Sequence, residues 1–218
     1  LLIGFIPVFT FGLGTWQMYR LQWKLKLIEE LEEQLAKPAM DLPRIINVGA
    51  LPEFEWRRVT VKGIWDHAHS VLIGPKVRDN EGGYSVVTPL KRPDASTIIV
   101  DRGFVKKDRA EAARDNSDPE SRVDGEVEVT GMLRLQPKSN SFTPENQPEK
   151  GLWYWPNIAE LVDYSGGNKA GVQPVLVEAL DQRDIGQHLA DMKRGVPIGR
   201  PPKVDLRNEH ATYAVIWF

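Results

Sequence analysis

The sequence predicts an α+β protein: an antiparallel, barrel-like β domain with a few helices, carried between an N-terminal and a C-terminal membrane span. Three observations carry that expectation. Residues 1–19 hold no charge, and roughly 20 apolar helical residues, rising about 1.5 Å each, cross a hydrocarbon core of about 30 Å. Residues 211–218 are apolar or aromatic apart from Thr212. Between these ends the hydropathy period switches to two in a series of short runs separated by Gly, Pro or Asp-Asn, the pattern of strands with one buried face. The organisation that follows is a first span at 1–20, an α+β domain at 21–206 and the opening of a second span at 207–218. The closing run is too short to cross alone and reads as a span cut short.

The first segment reads as a retained anchor rather than a cleaved signal peptide, because no small-x-small cleavage site follows Gly14. Trp16, Tyr19 and Trp23 bracket the first charge, Arg20, where amphipathic rings settle at a bilayer surface. Gly4, Pro7, Gly12 and Gly14 weaken a helix in water but are tolerated in lipid, where small residues let helices approach. Leu21, Leu25, Ile28, Leu31 and Leu35 then recur at three and four residues with Lys and Glu between, an amphipathic helix that either continues from the anchor or bends off along the membrane surface and stops at Pro38. Residues 41–54, with Pro43, Gly49 and Pro52, read as an irregular connection.

Strands are expected at 58–65, 71–75, 84–90, 97–105, 126–135 and 174–180. The first and fifth share the word Val-x-Val-x-Gly, at 59–63 and 127–131, and both glycines are placed to mark bulges or bends in a curled sheet. Duplication and coincidence explain the shared word about equally well. Residues 108–124 alternate charge densely and read as an exposed loop or frayed helix, and 136–151 as a second polar loop. A short helix is expected at 156–164, and 181–202 as a polar return path.

Composition narrows the function. A chain of 218 residues with net charge −2, from 28 basic and 30 acidic residues, presents no electrostatic footprint for nucleic acid. With no cysteine there are no disulfides, thiolate metal sites or thiol nucleophiles. No Gly-x-Ser-x-Gly frame surrounds Ser85 or Ser96, and neither a His-Glu-x-x-His motif nor a phosphate-cradling glycine loop occurs, so no enzymatic activity is expected. His67 and His69 have a spacing that two metal ligands on a strand would share, but they follow a strand end and read as a solvated turn. His188 is expected to face water. Asp101 and Arg102 read as a strand-end ion pair.

His210 differs, because it opens the second apolar run behind Arg207. On a helix His210, Tyr213 and Trp217 share one face. An imidazole can ligate haem iron, rings can stack on the macrocycle, and Arg207 or Arg20 can pair with propionates at the headgroup level. An interfacial histidine that caps the helix is the alternative.

Five words in order resemble the Surfeit locus protein 1 family: LGTWQMYR at 13–20, GYSVVTPL at 83–90, VDRGFV at 100–105, FTPEN at 142–146 and LRNEHATY at 206–213. The resemblance implies a two-span protein of the mitochondrial inner membrane, with its domain facing the intermembrane space, or of the bacterial plasma membrane. It implies a non-enzymatic factor that assembles cytochrome c oxidase together with core subunits and other assembly factors, and an association with haem a. By the same resemblance His210 is the second-span histidine and metal ligand, and Trp16 and Gln17 are the first-span pair. The family's Asn-Asn-His is here Asn208-Glu209-His210, and its Arg-Gly-Trp is Arg102-Gly103-Phe104. A scaffold that binds only oxidase assembly intermediates, without haem, is the alternative.

Overall fold

The computed structural model describes residues 2–93 and 96–203, with side chains from residue 9 onward. Two units are distinct: a long helix, and a compact unit spanning 38–202.

Helix α1 runs unbroken over Leu2–Ala36, about 52 Å at 1.5 Å per residue. The charge-free stretch and the amphipathic stretch are therefore one helix, the first of the two arrangements their sequences left open. Among the described residues, however, no helix is long and apolar enough to cross a membrane. Proline, glycine, threonine and glutamine dilute the apolar run between Pro7 and Gln17. Large rings nonetheless face outward along it: Phe9, Phe11, Trp16, Tyr19 and Trp23 are all more than half exposed.

In the second unit, β1 (Met40–Asp41), β2 (Arg58–Trp65), β3 (Val71–Arg78), β4 (Glu81–Lys91), β5 (Thr97–Lys106), β6 (Glu126–Arg134) and β7 (Val172–Ala179) form one sheet. Five of them close on themselves in the order β2-β6-β7-β5-β4, because the end of β2 turns to pair Ile64 and Trp65 with Lys91 and Leu90 of β4. The barrel expected from the sequence is present, but it is mixed rather than antiparallel. Strand β7 returns through helix α3 (Ile158–Tyr164) to lie parallel to β5, and β1 is parallel to β2. A crossover helix permits parallel pairing where a tight turn cannot.

The two Val-x-Val-x-Gly words explain the closure. They pair with each other, Val59 opposite Gly131, Val61 opposite Val129 and Gly63 opposite Val127. Each glycine sits where a third strand crowds in: a Cβ on Gly63 would overlap the Lys91 carbonyl, and one on Gly131 would meet Val177 and the Glu178 carbonyl. Neither glycine marks a bulge, since β2 and β6 pair in unbroken register past both; each marks a close approach of strands instead. The β3–β4 hairpin turns on Asp79 and Asn80, both at positive φ, which matches the right-handed twist of the paired strands.

The barrel interior is filled by Val59, Val61, Leu90, Ile98, Val100, Leu133, Val175 and Val177. Complete burial of each contributes about 1.5 to 3 kcal/mol. Residues 41–54 are more ordered than an irregular connection: β1 leads into a 3₁₀ turn at Val48–Phe54, capped by Asn47, and Leu42 and Leu51 seal one end of the core. On the opposite face of β3, β4 and β5, Ile73, Val87 and Ile99 pack with Trp153 and the Ile158, Leu161 and Val162 face of α3. Strand β5 is thus buried on both sides.

The segment read as an exposed loop or frayed helix holds a short helix, and the polar return path holds a longer one that the sequence reading did not expect. Within 108–124, α2 (Ala110–Asp115) buries Ala110 and Ala113 against Val86 and Val105, and Arg109 holds buried Asp118 at 3.0 Å. Within 181–202, α4 (Ile185–Arg194) is capped by Asp184, which accepts from the Gln187 amide at 2.9 Å, and ends at Gly195 with φ 79°. The cap signals were in the sequence; the surrounding charge hid them, since only Met192 of the apolar face is buried.

Candidate functional site

Of the site residues expected from the sequence, Arg207, His210, Tyr213 and Trp217 lie outside the described residues. Trp16, Gln17 and Arg20 lie within α1. Trp16, Arg20 and Trp23 follow one another at helical spacing of four and three, and the Arg20 guanidinium sits 4.0 Å over the Trp23 ring. Gln17 lies one residue round the helix from Trp16, and is partly covered.

Within the barrel, the family-like words converge on β4 and β5. Ser85 Oγ donates to Asp101 Oδ1 at 2.6 Å, and the same oxygen accepts from the Gly103 amide at 2.9 Å. Lys76 approaches the other carboxylate oxygen at 3.8 Å. The FTPEN word acts structurally, through its last residue. Asn146 Oδ1 accepts from the amides of Tyr154 and Trp155, and its Nδ2 donates to the Trp155 carbonyl and Glu160. That pins the polar loop to the aromatic segment before α3.

Asp101 and Arg102 do not form the ion pair read from the sequence. Val86 pairs with Gly103 and Val87 with Asp101, so Arg102 is the extra residue of a β-bulge. A bulge re-aims a side chain and often lies beside functional sites. Gly103 makes it possible: at φ 115°, a Cβ there would overlap the Ile198 carbonyl. Phe104 exchanges two 2.8 Å backbone hydrogen bonds with Ile198, and Arg78 donates to the Ile198 and Gly199 carbonyls, so residues 198–200 form a strap across β5.

Asp101 faces a balanced charge cluster. Its register partner Glu178 lies 3.5 Å from Arg134 Nε and 3.4 Å from Arg200 Nη1, while Arg134 also reaches Glu55 at 3.4 Å. Trp56, buried and held at φ 67°, lies beneath both guanidiniums, 4.0 Å from Arg134 and 5.4 Å from Arg200. Burial, then the nearby Asp101 charge, raise the Glu178 pKa above the usual carboxylate range in spite of the two arginines.

Arg102 faces the other way, into a cavity of about 280 Å³ at the barrel's mouth. Its guanidinium lies 4.9 Å over the Trp65 ring, and burial pushes its pKa down to about 10. Its Nη1 is buried and has no hydrogen-bond partner. Val127 and Val129, which pack on the interior core, form one wall, and Leu180 and Arg183 another.

The histidine turn is a 3₁₀ turn, His67–His69, but less solvated than expected. His69 Nδ1 and Lys91 Nζ bind the same Asp66 oxygen at 2.8 and 2.9 Å. Burial raises the Asp66 pKa, but the bonds from Lys91 and His69 outweigh it and hold the pKa below its ordinary value. Burial and the Arg102 charge lower the His67 pKa; the Val123 backbone lies near enough to favour its charged form without completing a bond of good geometry. His188, expected in water, is four-fifths buried and bonds Asp181 at 2.6 Å. Among the described residues, no group of three or more histidines and carboxylates could hold a metal ion.

Sequence reasoning missed the Arg102 cavity, because a one-residue bulge leaves no mark on hydropathy. The available signal was the Arg-Gly step inside a strand.

The profile of the SURF1 family matches residues 5–218. Surfeit locus protein 1 of Xenopus tropicalis is 34% identical over 234 residues, covering all of this chain and 70% of that relative. Surfeit locus protein 1 of Homo sapiens is 34% identical, covering 98% of this chain and 70% of its own length. A SURF1-like protein of Caenorhabditis elegans is 30% identical over 98% of this chain and 67% of its own. The match spans helix, barrel and both chain ends, and the chain belongs to the SURF1 family.

Proposed function

We propose that this protein is a membrane-anchored, non-enzymatic assembly factor for cytochrome c oxidase, which holds the immature haem-bearing core subunit while haem a is placed. The observation that carries the reading is family membership across the whole chain, from residue 5 to residue 218. The organisation we propose is an anchor at 1–20, an outward-facing domain at 21–206 and a second span opening at 207, in the mitochondrial inner membrane or, alternatively, the bacterial plasma membrane. The outward rings of α1, with Arg20 stacked on Trp23 at the end of the charge-free run, support seating that helix in a bilayer interface and against a membrane partner. His210 is the proposed iron ligand, with Tyr213 and Trp217 against the macrocycle and Arg207 or Arg20 at the propionates; Trp16 and Gln17 complete the first-helix contact.

The test is a host strain lacking this protein, complemented with the wild type, with His210→Ala or with nothing. We expect loss of assembled oxidase and of its haem a absorbance without the protein, and about a tenfold loss of haem a co-purifying with the variant. Normal oxidase in the deletion removes the assembly role. Normal oxidase and unchanged haem content with His210→Ala removes the ligand and leaves the protein-only scaffold. Extraction of the full chain by alkaline carbonate would remove the anchors.

A further inference from the structure

We propose that the cavity beside Arg102 binds a small monocarboxylate carried on an apolar body. This goes beyond the oxidase-assembly reading and stands or falls separately from it.

Arg102 is 7% exposed, and among the described residues its guanidinium has neither a counter-ion nor a hydrogen-bond acceptor. A buried charge of this kind is costly unless something pairs with it. The fold nevertheless spends a bulge, a glycine at positive φ and a tryptophan platform to hold it there. The Trp65 ring lies 4.9 Å from the guanidinium carbon, and the planar fork of a guanidinium matches a carboxylate better than it matches a tetrahedral anion.

The charge of the ligand follows from the charged groups that line the cavity. Arg183 is held by Asp181 at 3.7 Å and Asp191 at 3.3 Å, and Glu128 is held by Lys62 at 3.0 Å. Of the described lining charges, Arg102 alone lacks a partner, which calls for one negative charge. Val127, Val129 and Leu180 form apolar walls, and about 280 Å³ lies just below the range of drug-sized ligand clefts, about 300 to 1,000 Å³, which suits a small ligand.

A purely structural role, in which Arg102 only props the Trp65 ring, makes different predictions. The experiment is titration calorimetry and thermal unfolding of the purified full chain in detergent with 3-phenylpropionate, hexanoate, 3-phenylpropanamide and inorganic phosphate. At least one carboxylate is expected to bind about tenfold more tightly than the amide and than phosphate, and to raise Tm. Arg102→Met is expected to raise the unliganded Tm and to weaken that carboxylate about tenfold. The proposal is overturned if neither carboxylate outbinds the amide, if phosphate binds tightest, or if the variant binds as the wild type does. A lower Tm in Arg102→Met with no carboxylate effect on the wild type assigns Arg102 to propping the ring. If the variant fails to fold, the wild-type ratio of carboxylate to amide decides alone.

Discussion

Asp101 and Arg102 are consecutive on β5 and equally buried, at 7% exposure each, yet they stand in opposite electrostatic conditions. Asp101 accepts from Ser85 and Gly103 and faces Lys76, within a cluster in which Glu178 answers Arg134 and Arg200. Arg102, turned away by the bulge, has only the face of Trp65. A satisfied buried charge holds strands together, while an unsatisfied one at a cavity wall is poised for something that arrives from outside. The contrast separates, within two residues, what the barrel uses to stand up from what it offers to a ligand.

The sharpest way to break this contrast is Asp101→Ala, which strips the acceptor from two buried donors and should cost about 3 kcal/mol in chemical unfolding of the full chain. A loss below about 1 kcal/mol would mean that the cluster is not structural. Next, Gly103→Val forces a branched residue to φ 115° and drives its Cβ at the Ile198 carbonyl. A loss of about 2 kcal/mol is expected, together with exposure of the 198–200 strap to limited proteolysis; an unchanged digestion pattern would show that the strap does not depend on the bulge. Arg102→Met is expected to move stability the other way, by about 1 kcal/mol, because it replaces an uncompensated charge with a side chain of similar bulk.

The smallest effects are in pH dependence, and they run in opposite directions on the two sides of the barrel. The folded-state pKa of Glu178 is raised, so its contribution is full below the unfolded value, about 4.3, and is lost as pH rises through the folded value. Glu178→Gln should therefore lose less stability than the wild type as pH rises from about 4 toward neutrality. The Asp66 pKa is lowered by Lys91 and His69 against the cost of burial, so its contribution is present above about 3.9 and disappears as pH falls through the folded value. Asp66→Asn should flatten the acid limb only. Parallel wild-type and Glu178→Gln curves between pH 4 and 7 would show that the arginines compensate the burial of Glu178 in full.

How much was legible in the sequence depended on whether the pattern was periodic or local. Strands β2 and β6 announce themselves by alternation and β5 by a short apolar run, and the two Val-x-Val-x-Gly words pair with each other with both glycines at close strand approaches. Strand direction was not legible: nothing in Val172–Ala179 distinguishes a parallel from an antiparallel neighbour, and the crossover through α3 sets it. Helix α4 was missed because its face of Ile185 and Leu189 stays largely exposed, so hydropathy and burial disagree. His188 was placed in water for a related reason: its partner Asp181 lies seven residues away, at the far side of a helix cap that composition conceals.

The residues alone determined a charge-free helical opening, a curled β domain and five words of one family, because hydrophobic period, glycine placement and word order are properties of the chain written out in line. Only the folded barrel decided that Arg102 turns from its neighbour toward Trp65 and an open cavity. That outcome rests on one extra residue in one strand and on a carbonyl from residue 198 pressing against a missing side chain, and contacts between such distant positions exist only once the chain has closed.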